Sequence, residues 1–192
     1  MGNKPISISP DSNLEELYSL PRRYEVLKLL GQGNFGVVLK CLDQDTKKTV
    51  AIKVAKVYTD LNEEASMMQV LMDNNLDQQN IVKFYGGFWM NKYLVFEMLD
   101  MSLKNYLCKR EAPMSPQDIR TVIQQLAKAF DALTTIGVIH TDVTTTNIML
   151  VDHVRQPFKV KLIDFGLAIF KSKAKHVKIH QTPFFWWGLQ KI

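Results

Sequence analysis

The sequence predicts an α+β fold: a five-stranded antiparallel sheet carrying one helix, followed by a mainly helical segment. Three observations carry that expectation. Short β-prone runs fill the first hundred residues, apolar residues at helical spacing interrupt them once, and a long amphipathic stretch with a clear start and stop comes next. The composition agrees. With 192 residues, 46% of them hydrophobic, and two cysteines, the chain is neither an acidic disordered segment nor a disulfide scaffold. No stretch approaches the ~18 uninterrupted apolar residues that a membrane span needs.

Residues 1–23 read as an N-terminal extension rich in Ser, Pro and Asn, in which Leu14, Leu17 and Leu20 are expected to form a helical turn capping the domain. Runs 24–30, 37–41 and 49–54 are β-prone and are divided by glycines and by the turn-rich stretch 43–48. Between 60 and 73, Leu61, Ala65, Met68, Leu71 and Met72 fall close to helical spacing. Two further strands are expected at 81–88 and 93–98, around a turn at Met90-Asn91. Ser115-Pro116-Gln117-Asp118 then offers an N-cap, a proline at the first helical position and an acid at the third, a strong helix start. From there Ile119, Val122, Ile123, Leu126, Phe130 and Leu133 mark one apolar stripe, and Gly137 supplies the stop. Short apolar runs at 138–139, 148–151 and 160–163 each end beside a polar residue suited to a strand terminus.

The net charge of +5 is unevenly spread. From His153 onward eight Lys and Arg residues face the single acid Asp164, which leaves −2 for residues 1–152. The basic stretch 171–178 has no interleaved aromatics, so it is expected to be a solvated or phosphate-facing loop, with no direct contact to nucleic acid or membrane. Cys41 and Cys108 form no C-x-x-C pair and read as buried or free thiols of a reducing compartment. At the N-terminus Ile6 stands where myristoylation asks for Ser or Thr, and no apolar signal region is present, which points to the cytosol or nucleus.

Four motifs carry chemistry. Gly31-Gln32-Gly33-Asn34-Phe35-Gly36 lies between two predicted strands, which argues against the helix start of a dinucleotide-binding fold. Such glycines let backbone amides approach phosphate oxygens, yet a hairpin turn with no ligand has the same pattern. Val50-Ala51-Ile52-Lys53 puts a lysine inside an apolar strand, costly unless its charge is paired, and Glu63 and Glu64 open the helix that follows. His140-Thr141-Asp142 and Asn147 place an acid and an amide five residues apart, and Asp164-Phe165-Gly166 follows an apolar strand. In this order the four match the protein-kinase signature set.

On these residues the chain resembles a eukaryotic protein kinase, in particular the homeodomain-interacting protein kinases. The resemblance also rests on Tyr24-Glu25-Val26-Leu27, on the hinge-like Leu94-Val95-Phe96-Glu97-Met98-Leu99, and on the run from Asn147-Ile148-Met149-Leu150-Val151-Asp152 through Arg155-Gln156-Pro157-Phe158 to Asp164-Phe165-Gly166. It implies a bilobal kinase-like fold over 24–192, with an N-lobe at about 24–98, a hinge at about 97–100 and a partial C-lobe at about 101–192. It further implies ATP and Mg²⁺ as cofactors. Gly31, Gln32, Gly33, Asn34, Phe35, Gly36 and Val38 would cover the nucleotide, with Ala51 and Met149 sandwiching adenine. Lys53 would hold the α- and β-phosphates and pair with Glu64 in preference to Glu63. Phe96 would be the gatekeeper, with Glu97 and Leu99 offering backbone hydrogen bonds. Asp142 would orient or deprotonate the substrate hydroxyl, while Asn147 and Asp164 would bind Mg²⁺.

The chain also departs from the family pattern. Thr141 replaces an arginine that many kinases use to read a phosphorylated loop. Val143-Thr144-Thr145-Thr146 stands where the family has Leu-Lys-Pro-Glu, so Thr144 brings a hydroxyl where a lysine would contact the γ-phosphate. Gln181-Thr182-Pro183-Phe184-Phe185 sits where relatives carry a tyrosine that they phosphorylate, and the linker from Lys53 to Glu64 is shorter than in the relatives, so that the helix is expected to be tightened or misplaced. No A-P-E follows the D-F-G, which suggests a truncated or alternatively ended product whose long helix and Phe184-to-Trp187 run leave apolar surface uncovered. His176 and His180, four apart, are a weak metal-ligand pair.

The expected function is that of an ATP- and Mg²⁺-dependent serine/threonine protein kinase, with dual specificity open, acting on protein substrates in the nucleus or cytoplasm. By resemblance, transcription regulators are expected partners. The alternative is a non-catalytic pseudokinase-like module that binds nucleotide or a partner. Asp142, Asn147 and Asp164 favour the first; Thr144 and the missing A-P-E favour the second.

Overall fold

The computed structural model describes residues 20–33, 36–56, 61–88 and 92–176. The expected helical turn at Leu14 and Leu17 lies outside them.

Strands β1 (Tyr24–Gln32), β2 (Gly36–Asp43) and β3 (Lys48–Ala55) form the antiparallel meander that the spacing of glycines and turn residues predicts. Asp43 organises the β2–β3 turn. Its carboxylate accepts the Asp45 N–H at 3.0 Å and the Thr46 hydroxyl at 2.8 Å, and takes the Arg23 guanidinium on both oxygens at 2.7 Å. These bonds, led by Arg23, hold the Asp43 carboxyl well below the usual carboxylate range. Helix α1 (Asn62–Asp73) follows, then β4 (Phe84–Phe88) and β5 (Tyr93–Glu97), completing one five-stranded sheet in the order β1-β2-β3-β5-β4.

Alternation along these strands divides the apolar side chains into two clusters. Leu39, Cys41, Val50, Ile52 and Val95 pack together on one face. Leu94 and Phe84 instead join Ala65, Met68 and Leu71 of α1 in a core that continues into the second lobe. Cys41 is buried and Cys108 exposed.

The strand expected to begin at residue 81 begins at Phe84. Asn80 takes a left-handed φ of 59°, and the backbone beyond it turns to the second lobe. Leu162 N–H donates to the Asn80 carbonyl at 2.8 Å, Val82 N–H donates to the Leu162 carbonyl at 3.0 Å, and Ile81 bridges Leu162 in the parallel sense. With its donors and acceptors used there, this segment pairs across the lobes and not with β5.

The second lobe holds β6 (Met101–Ser102), α2 (Leu103–Lys109), α3 (Pro116–Thr135), β7 (Val138–Ile139), β8 (Ile148–Asp152), β9 (Gln156–Leu162) and β10 (Ile169–Phe170). They form two small antiparallel sheets, β6-β8-β9 and β10-β7. The sequence reading missed α2, although Ser102 caps it by accepting the Asn105 N–H at 3.1 Å. The start of α3 is a reciprocal capping box between Ser115 and Asp118. Its end is Gly137, whose φ of 70° suits a residue without Cβ and whose N–H reaches the Thr134 carbonyl at 3.0 Å.

The apolar positions of α3 are not one stripe. Val122, Ala129 and Leu133 are buried, Leu126 is half-buried, and Ile119, Ile123 and Phe130 are exposed. A polar residue centres the packed face: Gln125 donates to the Phe158 carbonyl at 2.7 Å and accepts the Val160 N–H at 3.1 Å, fastening α3 to β9. No helix among the described residues is long and apolar enough to cross a membrane.

Leu133→Ala is expected to lower unfolding free energy by about 2–5 kcal/mol, as core truncations do. Ile123→Ala is expected to change it by no more than about 0.5 kcal/mol, because that side chain already faces water. Urea unfolding of the two variants measures both.

Candidate active site

Alternation in β3 sends Ile52 and Val54 into one core and turns Lys53 to the opposite face, beneath the β1–β2 hairpin and opposite Val38 and Leu94. Its ammonium meets both oxygens of Glu64, at 2.7 and 2.9 Å, and Asp164 Oδ1 at 3.0 Å. Successive helical residues point about 100° apart, so Glu64 is buried in α1 while Glu63 is exposed. Lys53 is 15% exposed and Glu64 5%. Burial alone would lower the Lys53 pKa, but the two carboxylates outweigh it and hold the ammonium above its usual range. The expected tightening or misplacement of the helix is therefore not observed: α1 sits with Glu64 on Lys53. Residues 57–60 of the linker lie outside the described residues.

Asp164 follows β9 with a φ of 62°, and 43% of its side chain is exposed. Gly166 lies so near the ion cluster that a Cβ there would stand 3.2 Å from Glu64 Oε2 and 3.4 Å from Asp164 Oδ1.

A second cluster forms around Asp142. The Asn147 side-chain amide donates to the Asp142 carbonyl at 2.9 Å and to its carboxylate at 2.8 Å, leaving the Asn147 Oδ1 as the group turned to other chemistry. His140 joins the two clusters. Its Nδ1 accepts the Asp142 N–H at 3.2 Å, so Nε2 carries the proton and donates to the Ile163 carbonyl at 2.9 Å, one residue before Asp164. The Phe165 ring, 1% exposed, meets the His140 ring edge-on at 4.6 Å. Burial pushes the His140 pKa below its usual value.

Closing the glycine hairpin, Gly33 N–H donates to the Gly36 carbonyl at 2.8 Å. Gly36 is demanded by the sheet itself, since a Cβ would fall 1.9 Å from the Val54 carbonyl oxygen. Gly31 and Gly33 are different: nothing lies within 4 Å of where a Cβ would point. Gln32 faces Val37 in the ladder, whereas Asn34 and Phe35 lie outside the described residues. Ala51 stands opposite Phe96, whose ring leans on Phe84 at 5.4 Å. Leu99 is buried, and Met149 on β8 is half-buried opposite Ser102 and Lys161.

Sequence reasoning missed Lys161, which pairs with the Glu97 carboxylate across the lobes; Glu97 also accepts the Lys83 N–H at 2.6 Å. A lysine inside the apolar run 160–163 was the same signal that drew attention to Lys53. It also missed the Asp100–His153 pair, for which the sequence carries no local signal. Thr144 bonds to the Thr146 hydroxyl, and the Thr141 hydroxyl donates to the Leu167 carbonyl at 2.8 Å. The run 181–187, His180 and the His176 side chain lie outside the described residues.

Compared with known proteins, residues 24–186 match the family described as "Protein kinase domain". The chain belongs to the protein kinase family. Among curated relatives, this kinase chain is 42% identical over 167 residues to homeodomain-interacting protein kinase 1 of Mus musculus, covering 83% of this chain and 14% of that protein. It is 38% identical over 159 residues to homeodomain-interacting protein kinase 1 of Caenorhabditis elegans, covering 79% of this chain and 19% of the relative. To homeodomain-interacting protein kinase 4 of Mus musculus it is 35% identical over 162 residues, covering 81% and 26%. The chain thus spans a minor part of the length of these relatives. Among solved structures, the crystal structure of a kinase domain superposes with a TM-score of 0.76 at 29% identity, over 85% of this chain and 56% of that one.

Because the folded-state pKa of His140 lies below the ordinary 6.5, acid protonates the unfolded chain before the folded one. Its contribution to stability is therefore complete above that value and is lost as pH falls. Urea midpoints at pH 7.5 and 5.5 are expected to drop on acidification, with a shallower drop in His140→Gln.

Proposed function

We propose that this domain is a serine/threonine protein kinase that transfers the γ-phosphoryl group of ATP to protein hydroxyls. The observation that carries the proposal is the assembled Lys53–Glu64–Asp164 cluster beside the Asp142–Asn147 pair. Phosphoryl transfer depends mainly on positioning and charge stabilisation, and these five groups supply both.

The residues present fit nucleotide and metal. Open space at Gly31 and Gly33 suits close approach of backbone to phosphate, and Lys53 lies across the ladder from Val38 beneath that hairpin. Asn147 Oδ1 and the exposed Asp164 carboxylate are hard oxygen donors, the type Mg²⁺ selects when phosphates complete its shell. Bound Mg²⁺ would neutralise charge on the transferring phosphate. Ala51 and Met149 would enclose adenine, Glu97 and Leu99 would meet its edge through the backbone, and Phe96 would limit the depth of the pocket. Asp142 would receive or orient the substrate hydroxyl, its carboxylate held by Asn147.

Protein substrates follow from the family. The relatives' name speaks of homeodomain interaction, and on that basis transcription regulators are the proposed partner class and the nucleus, with the cytoplasm, the proposed location.

One observation favours a second reading. The hydroxyl at Thr144, in the place of the family's lysine, is engaged with Thr146 and brings no positive charge near Asp142. A nucleotide-binding module without transfer is the alternative.

Phosphoryl transfer from labelled ATP to a basic protein is expected to be measurable and to vanish in Lys53→Ala and Asp142→Asn. Thermal stabilisation by Mg-ATP with no transfer above the Asp142→Asn background would replace the kinase reading with the binding-module reading. Thr144→Lys is expected to raise turnover by about a hundredfold, the scale of one restored charge contact in the transition state.

A further inference from the structure

We infer that Thr141 is a positioning residue: its hydroxyl clamps the 165–168 turn that follows Asp164 onto the catalytic loop without any phosphate group. The inference rests on the kinase reading for its purpose, but its geometry stands apart from it.

Residues 165–168 form a turn closed by the Ala168 N–H on the Phe165 carbonyl at 3.0 Å. The carbonyl of Leu167, inside that turn, accepts the Thr141 hydroxyl at 2.8 Å. Beyond the turn the chain runs antiparallel to the segment before Asp142. Ile169 pairs with Ile139, Phe170 with Val138, and the Lys171 N–H donates to the Gly137 carbonyl at 2.7 Å. Thr141 is thus the last rung of a ladder that runs from Gly137 to the residue before Asp142.

The backbone shows what this rung costs. Thr141 adopts a φ of 68°, an unfavourable region for a β-branched residue that persists only where surroundings over-determine it. That conformation accompanies a hydroxyl placed on Leu167, three residues after Asp164. Asp164 itself is fixed on its other side by Lys53. Together the two contacts define where its exposed carboxylate stands.

Thr141→Val keeps the shape and the β-branch but removes the donor; Thr141→Ser keeps the donor. Hydrogen exchange of residues 166–169 is expected to quicken about five- to tenfold in Thr141→Val, the effect of one net hydrogen bond. Mg-ATP binding, read by calorimetry, is expected to weaken by a similar factor, and Thr141→Ser is expected to restore both within about twofold. Unchanged exchange in Thr141→Val overturns the clamp. Equal loss in Val and Ser variants also overturns it, assigning the role to side-chain shape. Failure of the unsubstituted chain to bind Mg-ATP would instead defeat the nucleotide reading, while the exchange comparison still decides the clamp.

Discussion

The ion cluster of Lys53, Glu64 and Asp164 is the contact on which the remaining architecture depends. It joins a strand of the N-terminal sheet, the one helix packed on that sheet, and the loop leaving β9 in the second lobe. Taking a lysine and a glutamate out of water is expensive, and removing Lys53 would leave the Glu64 carboxylate unpaired in a largely dry site, whereas removing Glu64 would leave the ammonium to Asp164 alone. The cluster therefore acts as a constraint more than as a source of stability. Only arrangements that bring α1 onto β3 and Asp164 beneath both satisfy it.

Around that constraint the lobes are held by contacts outside the ion cluster. Backbone bonds between 80–82 and Leu162, the Asn80 side chain on the Val160 carbonyl, and Gln125 on β9 tie the sheet, α3 and β9 into one unit. The Lys161–Glu97 pair adds a second bridge between the lobes. His140 then transmits order from Asp142 to Ile163, since each of its ring nitrogens has a defined partner. A neutral imidazole performs this double role; a charged one has no acceptor to offer the Asp142 N–H.

Elements with local signals were readable in advance. The meander to Ala55, helix α1 and helix α3 carry their periods in neighbouring residues, Gly137 stops α3, and the capping box at Ser115 marks the start of α3 to the residue. Where the partner lies far along the chain, local reading failed. Ile81 looks like the first residue of a strand and pairs instead with Leu162; Ile119, Ile123 and Phe130 share a helical period with Val122 and Leu133 yet face water. Of the site, Lys53, Glu64, Asp142, Asn147 and Asp164 were named from spacing and family likeness, whereas Lys161 was passed over despite sitting in an apolar strand as Lys53 does.

Residue type and order thus determined by themselves that a lysine in an apolar run, two adjacent acids after it, an acid and an amide five residues apart, and an acid before Phe-Gly exist in one chain. Those are properties of covalent sequence and survive any folding. The tertiary structure decided which of two adjacent glutamates meets Lys53, because helix rotation buries one and exposes the next. It also decided that Gly36 serves the sheet while Gly31 and Gly33 leave open space, since close approach by the Val54 carbonyl arises only when β2 and β3 pair. Distances between groups 111 residues apart, such as Lys53 and Asp164, exist only once both lobes have buried their apolar faces against each other.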